Sequence, residues 1–368
     1  MAVNQSNISA PLRYDRVEDT MGYILAMELI TWGFPVIVCI GTFGNVLSFI
    51  IMMRREMRQT PTFFYLAALA VADTVVLYLS ALKTWIRLIT GFELLHISNA
   101  SCKTFIFTIQ FSLHFSAWLI VAVTIERFLA VWFPLRANRM CSLSRAKFVT
   151  FMIALTFALV NVYLFWTAEL LTDPSRPEGS QDICAAYAYK NFVCNVFPWV
   201  NLLLYSFLPF VILLVFNSLI VVSLVRNKGI FSNMTKDDRV ARYRHRRLAI
   251  TLLVISFVWI VTTLPRSVYG LVKGKPGSLD ELGYQVLGKV ICFVLMYINH
   301  SINFFLYCLT GQRFRMEFVK FMCQWKQSKS PPKARLTFKS SVSVGSGQDT
   351  STSLPLMVTP SRETANFD

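Results

Sequence analysis

The chain has 368 residues, 55% of them hydrophobic and only 15% charged. A soluble globular chain carries about 25% charged residues, so this composition is shifted toward lipid and sets water-soluble enzymes at a disadvantage. The formal charge of +16 points to nucleic acid only if it is spread over the fold, and its distribution shows otherwise.

Residues 1–23 are polar and lack the apolar core of a cleavable leader, which leaves the first helix to act as the targeting signal. A bilayer core about 30 Å thick is crossed by about 20 mostly apolar helical residues. Seven stretches meet that length: Ile24 to Met53, Thr62 to Ile89, Ser101 to Trp132, Phe148 to Leu171, Phe197 to Val225, Arg247 to Val272 and Leu282 to Leu309. They are too long and too evenly apolar for barrel strands, and unpaired backbone is not tolerated in hydrocarbon, so each is a helix. The fold class is an all-α membrane protein, a seven-transmembrane helix bundle over residues 24–309.

After the seventh helix, Phe314, Phe318, Val319 and Met322 recur at helical spacing with Arg313, Arg315 and Lys320 between them. This pattern predicts an amphipathic eighth helix over residues 312–325, lying on the inner leaflet, with Cys323 as a palmitoylation candidate. Residues 326–368 turn to Ser, Thr, Pro and Lys, the composition of a disordered cytoplasmic tail. Its Ser/Thr clusters, such as Thr350 to Ser353, suit a phosphorylation platform that recruits a basic partner.

Lys and Arg counts set the orientation. With the N-terminus outside, the outer segments hold 11 basic and 11 acidic residues, and the inner ones hold 25 basic and 8 acidic. The excess charge is therefore cytoplasmic, where anionic lipid accounts for it, and a nucleic-acid partner becomes unnecessary. Glycosylation sequons at Asn4, Asn7 and Asn99 all fall on the outer side. Of the eight cysteines, Cys102, Cys184 and Cys194 lie outside, in oxidising space. Cys102 pairs best with Cys184, with Cys194 as the competing partner. No cysteine or histidine spacing fits a zinc-type metal site.

Polar residues at membrane depth are expensive and serve as functional candidates. Asp73 lies midway along helix two, and Asn45, Ser116, Asn299 and Asn303 reach similar depth in other helices. An oxygen-lined pocket with one carboxylate suits a small hard cation such as Na⁺; the competing reading is a structural hydrogen-bond network. Glu126 and Arg127 end helix three at the inner face, where neighbours on a helix point about 100° apart. Arg127 then faces inward and Glu126 restrains it. At the outer ends Lys83, Arg87, Arg266 and Lys289 form a basic cavity suited to a ligand with a negative group. Gln110, His114, Asn201 and Tyr297 add neutral hydrogen-bonding groups. Arg266 is too deep for snorkelling, and Glu28 is the alternative partner for it.

These residues resemble a rhodopsin-like (class A) G-protein-coupled receptor along the whole bundle. The matching motifs are Gly44-Asn45-Val46, Leu66 to Asp73, Cys102, Glu126-Arg127-Phe128 followed by Pro134, then Pro209, Pro265 and Asn303-Phe304-Phe305-Leu306-Tyr307. The stretch Asn299 to Gly311 is similar to FMRFamide-like neuropeptide receptors.

The resemblance implies that Arg127 is released on activation to contact a heterotrimeric G-protein, while Asn303 and Tyr307 rearrange at the inner end. It also implies that the Asp73 set is a sodium site, and that arrestin and a receptor kinase act at the phosphorylated tail. Several positions depart from the pattern. Phe128 replaces a Tyr, Phe304 a Pro, Thr263 a switch Trp, Asn217 a helix-five Tyr, and Ala154 stands near the usual helix-four Trp. Trp259, one turn below Thr263, is expected to supply the missing aromatic bulk. Losing the helix-seven Pro predicts a straighter inner end.

Within the receptor class, Ile109 stands where amine receptors carry an Asp and Tyr297 where opsins carry a Lys, so an extracellular neuropeptide is the expected ligand. A small anionic or lipid ligand is the alternative. A transporter would require repeats and a line of titratable groups, and an enzyme would require a P-loop, nucleophile elbow or metal spacing that the sequence lacks.

Overall fold

The computed structural model describes residues 16–171, 183–185, 189, 192–226, 236–272 and 274–329. Seven helices are long and apolar enough to cross a membrane: Met21–Met52, Pro61–Thr90, Asn99–Trp132, Leu143–Thr167, Phe197–Ser223, Ala249–Val272 and Leu279–Thr310, numbered one to seven below. The eighth helix spans Gln312–Lys329. The bundle and the eighth helix up to Cys323 form one compact unit, and Gln324–Asp368 belongs to a second.

Helices start where side chains satisfy their free N–H groups. Thr20 accepts from Tyr23 N, so helix one begins three residues before the apolar run does. Ser98, Ser142 and Ser278 cap helices three, four and seven in the same way. Glu281 returns the favour to the Gly277 N–H at 2.7 Å, closing a box at the start of helix seven. These caps move the starts of helices three, four and seven earlier than hydrophobicity alone indicates.

The outer end of helix four is corrected. It does not run to Leu171: the regular helix stops at Asn161, one further turn covers Leu164–Thr167, and Glu169–Leu171 is a strand. This strand pairs antiparallel with Ile183–Ala185, placing Leu170 opposite Cys184. Cys184 is bonded to Cys102 with the Cα atoms 5.7 Å apart, so the hairpin is fastened to the outer end of helix three.

Helices two and seven form the axis, with 61% of each apolar window buried, against 17% for helix four at the lipid-facing edge. Helix seven comes close to helix one because Gly41 has no side chain; a Cβ there would stand 2.8 Å from Ser301 Cβ. An inner cluster joins Leu66, Leu69, Leu119, Ile120, Leu252, Ile255, Trp259, Tyr307 and Phe314. An outer one joins Ala26, Phe34, Leu77, Met296 and Tyr297.

Helix seven runs from Leu279 to Thr310 without a break. Phe304, in place of a Pro, packs on Phe314 at 5.8 Å and Phe318 at 5.6 Å of the eighth helix. Gly311 makes the corner, since a Cβ there would lie 2.7 Å from the Tyr307 carbonyl oxygen. Three cations of the eighth helix, Arg313, Arg315 and Lys320, bind protein. Arg315 donates to the Cys308 and Leu309 carbonyls that end helix seven, and Arg313 donates to the Glu56 carbonyl at 2.6 Å. Lys320 pairs with Glu56 and Glu317, and Arg54 with Glu317. Met316 and Val319 remain exposed on the other side.

Candidate functional site

The polar residues fall into three layers. At the inner end, Glu126 and Arg127 are both buried in the last turns of helix three. Arg127 donates to Glu126 Oε1 at 2.7 Å and, from Nε, to Oε2 at 3.3 Å. Its Nη2 also donates to the Thr62 hydroxyl, which in turn donates to Glu126 Oε2 at 2.7 Å. Thr62 opens helix two, so the ring of three groups closes helix three on helix two around a charge that would be costly unpaired. Nearby, the Cys141 thiol donates to the Glu126 carbonyl at 3.6 Å. Burial first, then the Glu126 charge, pushes this thiol up to about 11.

Above it, Trp259 is 2% exposed and meets Tyr205 edge-on at 6.4 Å, while Thr263 on the next turn is fully buried. Pro265 lies inside helix six. Tyr307 is enclosed and packs on Phe314 at 5.5 Å.

At mid-depth, Asp73 is 1% exposed and receives three donors. Ser116 Oγ donates to Oδ1 at 2.8 Å and Asn303 Nδ2 to Oδ2 at 2.7 Å. The third comes from His300, whose Nδ1 lies 2.7 Å from Oδ1. Asn45 donates to the His300 carbonyl at 3.0 Å. Asn299 is buried one residue away. Helices three and seven therefore converge on a carboxylate of helix two, and helix one holds the His300 backbone beside it. Against the sodium expectation, Oδ1 already carries two donors and Oδ2 one, from a total of about four acceptor sites on a carboxylate. N–H and O–H dipoles turn their positive ends to Asp73, where a cation would require oxygen atoms.

At the outer end the expected basic cavity is divided. Lys83 and Arg87 lie 3.4 and 3.3 Å from the two oxygens of Glu93, whose side chain is 3% exposed. They neutralise a buried carboxylate of the first outer loop. Arg266 sits 4.2 Å above the Phe293 ring of helix seven. It has no carboxylate partner among the described residues, and Glu28 instead accepts from the Trp32 indole at 2.9 Å. Beside it Ser206 and Ser267 are hydrogen bonded, tying helix five to helix six.

Tyr297 is buried, shares a 2.6 Å hydrogen bond with Ser80 and meets Phe34 edge-on, so it joins helices one, two and seven. His114 is enclosed too: Nδ1 bonds the Gln110 carbonyl at 2.9 Å and the ring stacks on Phe157 at 5.2 Å. Ile109, Gln110 and Asn201 are half-buried on helices three and five, and Lys289 is exposed on helix seven. Asn99 is exposed at the start of helix three. Asn4 and Asn7 lie outside the described residues, as does the tail beyond 329. Cys323 is a free, exposed cysteine.

Three of these partners escape sequence reading. His300 has one signal, its position three residues before Asn303 on the same helical face. Glu93 and Thr62 have none, since only the fold brings them to their cations.

Seven spans tied to one another by polar groups at three depths are an arrangement of the class of seven-helix receptors. The chain belongs to the rhodopsin family of seven-transmembrane receptors, and residues 44–307 match that family's model. It is 26% identical over 294 residues to growth hormone secretagogue receptor type 1 of Oryctolagus cuniculus, covering 77% of each chain. It is 24% identical over 341 residues to the thyrotropin-releasing hormone receptor of Gallus gallus, covering 83% of this chain and 81% of that one. The growth hormone secretagogue receptor of Homo sapiens is 26% identical over 293 residues. The chain is thus a multi-pass membrane receptor of a non-enzymatic family.

Proposed function

We propose that this receptor binds an extracellular peptide at its outer end and activates a heterotrimeric G-protein by outward movement of helix six. The observation that carries the ligand reading is Arg266: a cation on the Phe293 face, without a described carboxylate partner, waits for an acidic group from outside. The relatives, named for a growth hormone secretagogue and for thyrotropin-releasing hormone, support a hormone-like ligand, and the absence of an Asp at Ile109 disfavours amines. Lys83 and Arg87 contribute less, because Glu93 has already taken their charge.

Binding energy at the outer end acts by shifting a population. The resting bundle keeps Arg127 closed against Glu126 and Thr62. A ligand that favours the open form by differential contacts releases it to the partner, and the partner reciprocally tightens the ligand. The outer hairpin and its disulfide support an N-terminus outside the cell and a C-terminus inside. By the same orientation, glycans belong at Asn4, Asn7 and Asn99, an acyl chain at Cys323, and arrestin and receptor kinase at the tail.

The test is a neuropeptide screen on cells expressing the chain, read by calcium and cyclic nucleotide. With a peptide hit in hand, Arg266→Gln should weaken an acidic peptide more than tenfold, about 1.4 kcal/mol. Unchanged affinity would dismiss the anionic contact, and a response to small anionic or lipid ligands alone would replace the peptide reading.

A further inference from the structure

The central layer holds a feature that the receptor reading does not use. His300 places a ring nitrogen 2.7 Å from Asp73 Oδ1, with both side chains 1% exposed. An ionised carboxylate only accepts, so Nδ1 carries the shared proton and donates it. The ring lies between helix seven and helix two, on the same oxygen that receives the Ser116 hydroxyl. Its own carbonyl is held by Asn45 from helix one.

We propose that the His300 imidazole occupies the seat that the Asp73 pocket would otherwise give to a sodium ion, so that the receptor's resting state is sodium-independent. A cation at Asp73 must reach a carboxylate oxygen and collect further oxygens around itself. Here Oδ1 is taken by a ring N–H and a hydroxyl, and Oδ2 by the Asn303 amide, whose nitrogen faces the carboxylate. Each hydrogen-bond partner of Asp73 among the described residues presents a donor to it. Burial makes the arrangement firm, because withdrawing the ring without a replacement would leave a carboxylate oxygen short of a partner in the membrane interior. The direct bond does what a bridging ion would do, joining helix two to helix seven, with no ion to lose.

The test needs no peptide. The purified full-length chain is unfolded thermally in NaCl and in N-methylglucamine chloride at equal ionic strength. A ligand that binds only the folded state raises the transition as its concentration rises. The wild type should unfold at the same temperature in both salts. His300→Ser removes the ring and leaves an oxygen; it should unfold earlier in N-methylglucamine and be raised by NaCl, saturably, by several degrees. Adding Asp73→Asn should remove that rise. His300→Asn, which keeps a donor and brings a carbonyl oxygen, serves if the serine variant does not fold. A saturable sodium rise in the wild type that Asp73→Asn abolishes would overturn the proposal. So would sodium indifference in whichever His300 variant folds.

Discussion

Thr62 is the residue on which the inner lock depends most simply. Its hydroxyl both accepts from Arg127 and donates to Glu126, so a Val of the same shape breaks two bonds and adds no bulk. A hydrogen bond to a charged group is worth about 1.5–3 kcal/mol, and part of that loss should appear as a larger fraction of open receptor. Thr62→Val is therefore expected to raise basal guanine nucleotide exchange severalfold without agonist. Exchange equal to or below wild type would show that the hydroxyl does not hold Arg127. Cys141 offers a chemical probe of the same corner. The thiolate is the reactive form, and burial raises this thiol to about 11, so little of it is ionised at neutral pH and more is as pH rises. Once neutral hydroxylamine has cleaved any acyl thioester at exposed Cys323, maleimide should label that residue first at neutral pH, with Cys141 lagging and gaining as pH rises toward 9. Equal rates at neutral pH would mean that the inner loop does not bury the thiol.

Residues of this kind mark the limit of what the sequence makes legible. Asp73, Arg127 and Glu126 stand out because charge at membrane depth is rare. Their partners Thr62, His300 and Glu93 are ordinary residues in their local contexts, made significant by neighbours 64, 227 and 6 to 10 positions away in the chain. The outer basic cavity is where the structure departs furthest from the sequence expectation, since Glu93 takes the charge of Lys83 and Arg87. Counting cations along helices two, six and seven leaves out the loop carboxylate that folds back onto two of them.

At the scale of elements, apolar length located all seven spans, and the side-chain caps shifted their ends. The departure at helix four has a physical source: hydrophobicity does not distinguish Leu170 and Leu171 in a strand from the same residues in a helix. The pairing with Ile183–Ala185 and the disulfide decide it. The eighth helix is legible as amphipathic, but the partners of its cations are not: Arg313 and Lys320 reach the first inner loop, and Arg315 the end of helix seven. Phe304 is central to that docking. Phe304→Ala should cost about 3–5 kcal/mol of stability, the range for a buried Phe, and expose Phe314 and Phe318. Thermal unfolding and hydrogen exchange at residues 312–323 read both effects. A stable variant with unchanged exchange protection would show that the arginine contacts alone hold the helix.

At the scale of the whole molecule, the two ends of one bundle share an equilibrium. Helices two and seven pass through all three layers, meeting Lys83 and Tyr297 above, Asp73 and Asn303 in the middle, and Thr62 and Tyr307 below. A tilt at one end is therefore felt at the other. Packed interiors resist small continuous deformation and switch between discrete arrangements, which suits a receptor that is either closed on Arg127 or open to its partner.

Arg127→Ala examines this most directly. The receptor is reconstituted with a purified heterotrimeric G-protein, and guanine nucleotide exchange and peptide binding are measured on the same preparation. Exchange should be lost while the peptide still binds. Exchange at the wild-type rate in the variant would contradict the release of Arg127 as the step that carries the signal.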